Sequence, residues 1–147
     1  MMATILFDEK SCVGCAACAM ACMDEHDLDL AVQHPYRSIF ERETPQPGGS
    51  VRLTFLSESC RHCPGTPCAA ACPTGCIRRD DALGLTVYDN ARCTGCRACY
   101  AACPFGAPTF RRDDGKMEKC DGCAARQRAG LTPACVRVCQ TGALHLG

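Results

Sequence analysis

Hydrophobic and polar positions alternate along this chain only in short bursts, and each burst predicts a small element. Ala3-Thr4-Ile5-Leu6-Phe7 reads as a strand, and Val51-Arg52-Leu53-Thr54-Phe55-Leu56 alternates as a second one. Leu85-Thr86-Val87-Tyr88 reads as the return arm of a hairpin from Ile77 and Arg78. Thr109 to Arg112 and Lys116 to Lys119 flank Asp113-Asp114-Gly115, a strong hairpin-turn signal. Alanine-rich stretches at Ala16 to Met23, Ala69 to Ala71 and Arg97 to Ala102 predict short helices. Thr44-Pro45-Gln46-Pro47-Gly48-Gly49-Ser50 is a turn-forming stretch. Short strands and short helices joined by loops predict an α+β, loop-rich architecture.

What lies between these bursts is cysteine. The chain has 147 residues and 17 cysteines, no Trp, and 5% aromatics. Its apolar fraction is 47% only because cysteine is counted in it. A chain so poor in ordinary apolar side chains cannot build a large core unaided. Something bound to the cysteines must supply the missing interior, so folding is expected to depend on it.

Sixteen of the cysteines fall into four groups of four: Cys12, Cys15, Cys18, Cys22; Cys60, Cys63, Cys68, Cys72; Cys93, Cys96, Cys99, Cys103; and Cys120, Cys123, Cys135, Cys139. The first and third share C-x2-C-x2-C-x3-C, the bacterial ferredoxin run for [4Fe–4S] clusters. A cubane needs one thiolate per iron, so sixteen thiolates serve four clusters. A disulfide scaffold is the rival reading of so dense a set. It is opposed by the odd count and by triplets of cysteines two residues apart, which are awkward disulfide partners and natural ligands of one metal centre. The opening Met1-Met2-Ala3-Thr4-Ile5-Leu6-Phe7-Asp8 turns acidic too soon for a cleavable signal peptide.

The chain also repeats itself. Cys12-Val13-Gly14-Cys15 and Cys93-Thr94-Gly95-Cys96 match Cys120-Asp121-Gly122-Cys123. Glycine before the second ligand suits a loop of positive φ whose amides approach the cluster. Cys72-Pro73-Thr74-Gly75-Cys76-Ile77 aligns with Cys103-Pro104-Phe105-Gly106-Ala107-Pro108 and Cys139-Gln140-Thr141-Gly142-Ala143-Leu144. Proline after a ligand closes the local helix. The seventeenth cysteine, Cys76, therefore stands where the repeats carry Ala107 and Ala143, and reads as a buried packing residue.

Net charge is zero, with 16 basic and 16 acidic residues, so nothing points to nucleic acid. No apolar stretch approaches the ~18 residues that cross a bilayer. Asp24, Glu25, Asp27 and Asp29 form an acidic block, and Arg111, Arg112, Lys116, Lys119, Arg126 and Arg128 a basic one. Both read first as solvated faces, and second as docking surfaces for a redox partner. His62 reads as a hydrogen-bond donor or surface residue, and His26, His34 and His145 have no partner pattern. No radical C-x3-C-x2-C triplet, phosphate loop or nucleophile constellation occurs, so catalysis is expected to lie on another chain. Taken alone, the fourth group would also suit a four-thiolate zinc site.

The four groups in order, with C-x2-C-x4-C-x3-C second and C-x2-C-x11-C-x3-C fourth, resemble the four-cluster ferredoxin-like electron-transfer subunits of dimethyl sulfoxide reductase, formate dehydrogenase and related molybdenum or tungsten enzymes. Cys60-Arg61-His62-Cys63 and Cys72-Pro73-Thr74-Gly75 look like that family too. The resemblance implies four [4Fe–4S] clusters with exchanged fourth ligands. The first cluster would take Cys12, Cys15, Cys18 and Cys139, and the second Cys120, Cys123, Cys135 and Cys22. The third would take Cys60, Cys63, Cys68 and Cys103, and the fourth Cys93, Cys96, Cys99 and Cys72. It implies two ferredoxin-like modules, the second inserted in the first: residues 1–56 and 116–147 form the outer module and 57–115 the inner one. The chain departs from the pattern where Met23 and Gln140, not proline, follow Cys22 and Cys139. It also stops at Gly147, short of the C-terminal extension that longer relatives carry and with which some meet a membrane anchor.

The expected function is an electron-transfer subunit, not itself an enzyme, of an anaerobic oxidoreductase complex. Its partners would be a catalytic molybdenum or tungsten subunit, such as a formate dehydrogenase or aldehyde oxidoreductase, or a hydrogenase or carbon monoxide dehydrogenase, and a second redox partner. It would be cytoplasmic, or exported attached to a partner. A free polyferredoxin serving several partners is the alternative, and a mixed iron–sulfur and zinc structural protein a third reading.

Overall fold

The computed structural model describes residues 4–147, so Ala3 of the first expected strand lies outside the described residues. Its elements follow in chain order as β1 (Ile5–Phe7), α1 (Ala17–Glu25), β2 (Ser38–Pro45), β3 (Val51–Glu58), α2 (Pro67–Ala71), β4 (Ile77–Asp80), β5 (Leu85–Tyr88), α3 (Ala98–Ala102), β6 (Thr109–Phe110), β7 (Met117–Glu118), α4 (Ala124–Arg128), α5 (Ala134–Arg137) and β8 (Leu144–Leu146). Among the described residues every sheet has two antiparallel strands: β1 with β8, β2 with β3, β4 with β5, and β6 with β7. Two-stranded sheets are marginal alone. The apolar interior is likewise split into small groups, and cysteines belong to three of them. This is a mixed arrangement of short helices and strands whose parts need something between them.

The ends of the helices follow from what succeeds each cysteine. Pro73 and Pro104 stop α2 and α3 at Ala71 and Ala102, leaving Cys72 and Cys103 as extended caps. Met23 does not stop α1, which runs three residues beyond Cys22 to Glu25. The pattern of the fourth group predicts no helix, yet α4 begins directly after Cys123 and α5 contains Cys135. A whole helix thus occupies the long spacing in C-x2-C-x11-C-x3-C.

β2 is a strand without a strand pattern. Its sequence, Ser-Ile-Phe-Glu-Arg-Glu-Thr-Pro, has no apolar alternation, and from Phe40 to Pro45 it is exposed. It exists because β3 templates it along its whole length, from Ser38 opposite Glu58 to Pro45 opposite Val51. The expected turn stretch closes this hairpin, with Gln46 N–H donating to Ser50 C=O at 2.8 Å.

A structural repeat underlies the cysteine repeat. Asp8 and Asp89 each stand four residues before a first cysteine and cap a short 3-10 turn, Asp8 accepting from Lys10 N–H and Asp89 from Ala91 N–H. Their own amides donate to Ala143 C=O at 2.8 Å and Cys76 C=O at 2.9 Å, the two positions matched in the sequence repeat. The chain's two ends therefore meet at β1 and β8 as β4 and β5 meet within the chain.

Candidate iron–sulfur centres

The cysteines surround hollows rather than points. One hollow is lined by Cys72, Cys93, Cys96 and Cys99, and also by Cys76, with Ile77, Phe110 and Met117. A second is lined by Cys12, Cys15, Cys18 and Cys139 with Phe7, Ile39 and Leu144. The two are alike in their lining, thiols of the ligand groups set against an apolar wall. Among the described residues, no three His, Cys, Asp or Glu side chains converge as they would on one metal ion. Four thiolates spread around a space suit a polynuclear cluster.

Elsewhere the groups also intermix. Cys22 is raised by burial and then by the neighbouring Cys120, Cys123 and Cys135, so it lies among the fourth group. Cys68 is raised by burial and, less strongly, by Cys60 and by Cys103 of the third group. Cys18 packs with Cys135, Cys22 and Cys120 pack beside Cys60, and Cys68 and Cys72 pack beside Cys93 and Cys99. Burial pushes Cys120 up to about 12 and Cys123 to about 11. A thiolate there is costly unless a cation accompanies it, which is what iron supplies. Cys15 and Cys96 are the exposed members of the set.

Backbone amides point at the sulfurs with the repeat's regularity. Gly95 and Gly122 donate to Cys93 and Cys120 at 3.4 and 3.3 Å. Cys76 and Ala107, at matched positions, donate to Cys72 and Cys103 at 3.3 and 3.4 Å. Such amides favour the thiolate, and at Cys72 the bonds from Thr74, Ile77 and Cys76 overcome burial and bring it down to about 7. Cys76 itself is 2% exposed, packed with Ile77, Cys99, Phe110 and Met117, and its thiol is pushed up to about 11 by burial and by Cys93 and Cys72.

His62 replaces the glycine of the repeat in the second group and still takes φ 48°. It is buried, and its amide donates to Cys60 Sγ at 3.4 Å. Its Nδ1 accepts from Thr86 N–H at 3.0 Å, which puts the ring proton on Nε2, 3.7 Å from Cys120 Sγ. Burial, then Lys119 and Arg79, hold its pKa at about 3, so the ring is neutral. The expected hydrogen bond exists, and the surface alternative does not. His26, read as partnerless, has Nε2 3.9 Å from Cys123 Sγ and 3.8 Å from Asp121. His34 lies against Arg112, and His145 is exposed on β8.

Most members of the basic block are engaged within the chain. Arg126 pairs with Glu25 of the acidic block at 3.0 Å, Arg128 with Asp80, and Arg111 with Asp113 and Glu118. Arg112 donates to Leu30 C=O. Lys119, counted with the basic block, is 1% exposed. Five of the six basic residues are thus engaged within the chain, and of these Lys119 alone is withdrawn from the surface. Two buried residues near the sulfurs had no sequence signal at all: Arg37 and Ser57, whose Oγ lies 3.4 Å from Cys18 Sγ. No helix among the described residues is long and apolar enough to cross a membrane.

A profile of the 4Fe-4S dicluster domain matches residues 51–147. The sequence is 40% identical over 144 residues to the thiosulfate reductase electron transfer subunit PhsB of Salmonella typhi, covering 97% of this chain and 74% of the relative. It is 39% identical over 148 residues to the B subunit of the anaerobic dimethyl sulfoxide reductase of Escherichia coli strain K12, covering 95% and 70%. Over 156 residues it is 32% identical to the iron-sulfur subunit of the nitrate-inducible formate dehydrogenase of the same strain, covering 97% and 53%. Sixteen grouped thiols, eight of them lining two apolar hollows, and these likenesses lead to one conclusion. The protein belongs to the family of ferredoxin-like iron–sulfur subunits found in dimethyl sulfoxide reductase, thiosulfate reductase and formate dehydrogenase, and it is a carrier of four [4Fe–4S] clusters that transfers electrons and does not itself catalyse.

Proposed function

We propose that this chain passes single electrons between a catalytic oxidoreductase subunit bearing a molybdenum or tungsten cofactor and a second redox partner. The observation that carries the reading is the mixing of cysteine groups, above all Cys22 among Cys120, Cys123 and Cys135. The first cluster sits on Cys12, Cys15, Cys18 and Cys139, the second on Cys120, Cys123, Cys135 and Cys22. The third sits on Cys60, Cys63, Cys68 and Cys103, the fourth on Cys93, Cys96, Cys99 and Cys72. The two hollows support the first and fourth sets, Cys76 being a fifth cysteine on the wall of the latter. Pairing of β1 with β8 supports an outer module of residues 1–56 and 116–147 with 57–115 inserted in it.

When bound, each cluster takes up and releases one electron. The protein's part is to space the clusters, exclude water and fix their potentials. Contacts of Cys18 with Cys135, of Cys22 and Cys120 with Cys60, and of Cys68 with the buried group of Cys99 support a single file in the order first, second, third, fourth. Exposed Cys15 and Cys96 then mark the two ends where partners dock. The relatives named for thiosulfate, dimethyl sulfoxide and formate enzymes support a catalytic partner of that class, in the cytoplasm or exported together with this chain.

Anaerobic native purification tests this. The protein is expected to elute with a larger subunit in fixed stoichiometry, and the pair to reduce its clusters when given that enzyme's electron donor, or oxidise them when given its acceptor. A monomer that exchanges electrons with many donors and holds no fixed partner would replace the reading with a free polyferredoxin.

A further inference from the structure

Two of the chain's cations are buried at the places where cysteine groups meet. Arg37 is 3% exposed and Lys119 1%. Arg37 donates from Nη1 to Ser57 Oγ at 2.9 Å and from Nη2 to Ser59 Oγ at 2.7 Å. Ser57 Oγ, its lone pair so engaged, has its own proton for Cys18 Sγ at 3.4 Å. Cys18 in turn packs against Cys135 of the fourth group. Lys119 Nζ donates to Thr86 C=O and to Cys120 C=O, and lies 3.6 Å from Cys60 Sγ. Arg37 thus stands where the first and fourth cysteine groups meet, and Lys119 where the second and fourth meet.

Neither has a carboxylate partner among the described residues, whereas Arg42, Arg61, Arg92, Arg111, Arg126 and Arg128 all do. A buried cation without an anion is strongly disfavoured, and arginine cannot escape by losing its proton. Cysteine sulfur lies 3.6 Å from Lys119 Nζ and one hydroxyl away from Arg37, through Ser57 Oγ. A cubane with four thiolates carries net negative charge, which increases by one on reduction. A fixed cation beside it therefore favours the reduced form.

We propose that Arg37 and Lys119 are the built-in counter-cations of the relay's interior, one on each side of the cluster seated by Cys120, Cys123, Cys135 and Cys22, and that they raise its potential above the value its burial alone would give. The inference rests on the cluster seating proposed above. Because both cations flank that one cluster, it responds to the loss of either.

The test uses the full chain in its native complex, purified anaerobically, with Arg37→Gln and Lys119→Gln as neutral donors and Arg37→Lys and Lys119→Arg as charge-keeping swaps. Iron and sulfide are counted and each cluster is followed in an EPR-monitored redox titration. The glutamine variants are expected to hold all four clusters. At fixed poise the reduced-to-oxidised ratio of the interior cluster should fall at least about tenfold, ~59 mV for one electron, with the swaps returning most of it. Glutamine variants that lose a cluster while the swaps keep it also support the claim, since charge is then needed to seat the anion. Unchanged potentials in glutamine variants overturn it. So does equal damage by glutamine and by the swap, which would make shape rather than charge the cause. A parent protein without four clusters would instead sink the seating, and would be seen before any variant is made.

Discussion

His62 stands between Cys60 and Cys63 in the chain, yet its Nε2 lies 3.7 Å from the Sγ of Cys120, 58 residues on. Lys119, the neighbour of Cys120, reaches back to within 3.6 Å of Cys60 Sγ. The two contacts cross, and one residue fixes both: Thr86 donates its N–H to His62 and lends its C=O to Lys119. Two cysteine groups distant in sequence are thereby held in one polar frame.

From this crossing follows the effect of His62→Asn. Asparagine tolerates the left-handed φ of 48° but cannot reach Cys120. The cluster on Cys120 is expected to lose about 1 kcal/mol of stabilisation of its reduced form, read as a lower potential with iron content unchanged. An unaltered potential would reduce the ring to packing.

Cys22→Ala is expected to damage the centre of Cys120, Cys123 and Cys135 and to spare that of Cys12, Cys15 and Cys18, because Cys22 lies among the former. EPR of the reduced variant checks which signal is lost. Loss of the first centre alone would overturn the exchange of ligands.

Gly122 has φ +73°, and a Cβ there would stand 2.6 Å from Leu85 Cδ2. Leu85 is fully buried and cannot yield. Gly122→Ala should therefore cost about 1–3 kcal/mol of backbone strain plus overpacking. Gly75, at φ +66° with nothing within 4 Å, should cost only the strain. Thermal melts of the two alanine variants are expected to rank in that order.

Cys76→Ala is expected to keep every iron. The thiol is buried among apolar neighbours at a position where the repeats carry Ala107 and Ala143, and its amide, which the substitution retains, is what bonds Cys72 Sγ. A stability loss near ~1 kcal/mol covers the vacated volume. Loss of about four irons per chain would instead make Cys76 a ligand.

Much of this was legible because a cubane site is local. The four groups, the glycines at positive φ, the prolines that stop α2 and α3, and both hairpins after Ile77 and Thr109 are set by residues a few positions apart. What was not legible is long-range. β2 forms on β3 without an alternation of its own. Lys119 reads as surface charge because nothing in Lys116-Met117-Glu118-Lys119 tells which of the two lysines turns inward. Arg37 carries no motif; its place depends on Ser57 and Ser59 arriving from β3 and the residue after it. The repeat did hold one overlooked hint, since His62 occupies the slot that glycine fills in the other three groups.

The most direct test is to count iron and acid-labile sulfide per chain in anaerobically purified protein and titrate it with reductant. Four [4Fe–4S] clusters predict about sixteen of each, no zinc, and reduction in separate one-electron steps assignable to four clusters. Iron near twelve with one zinc, or fewer than four reducible clusters at full iron occupancy, would contradict the account.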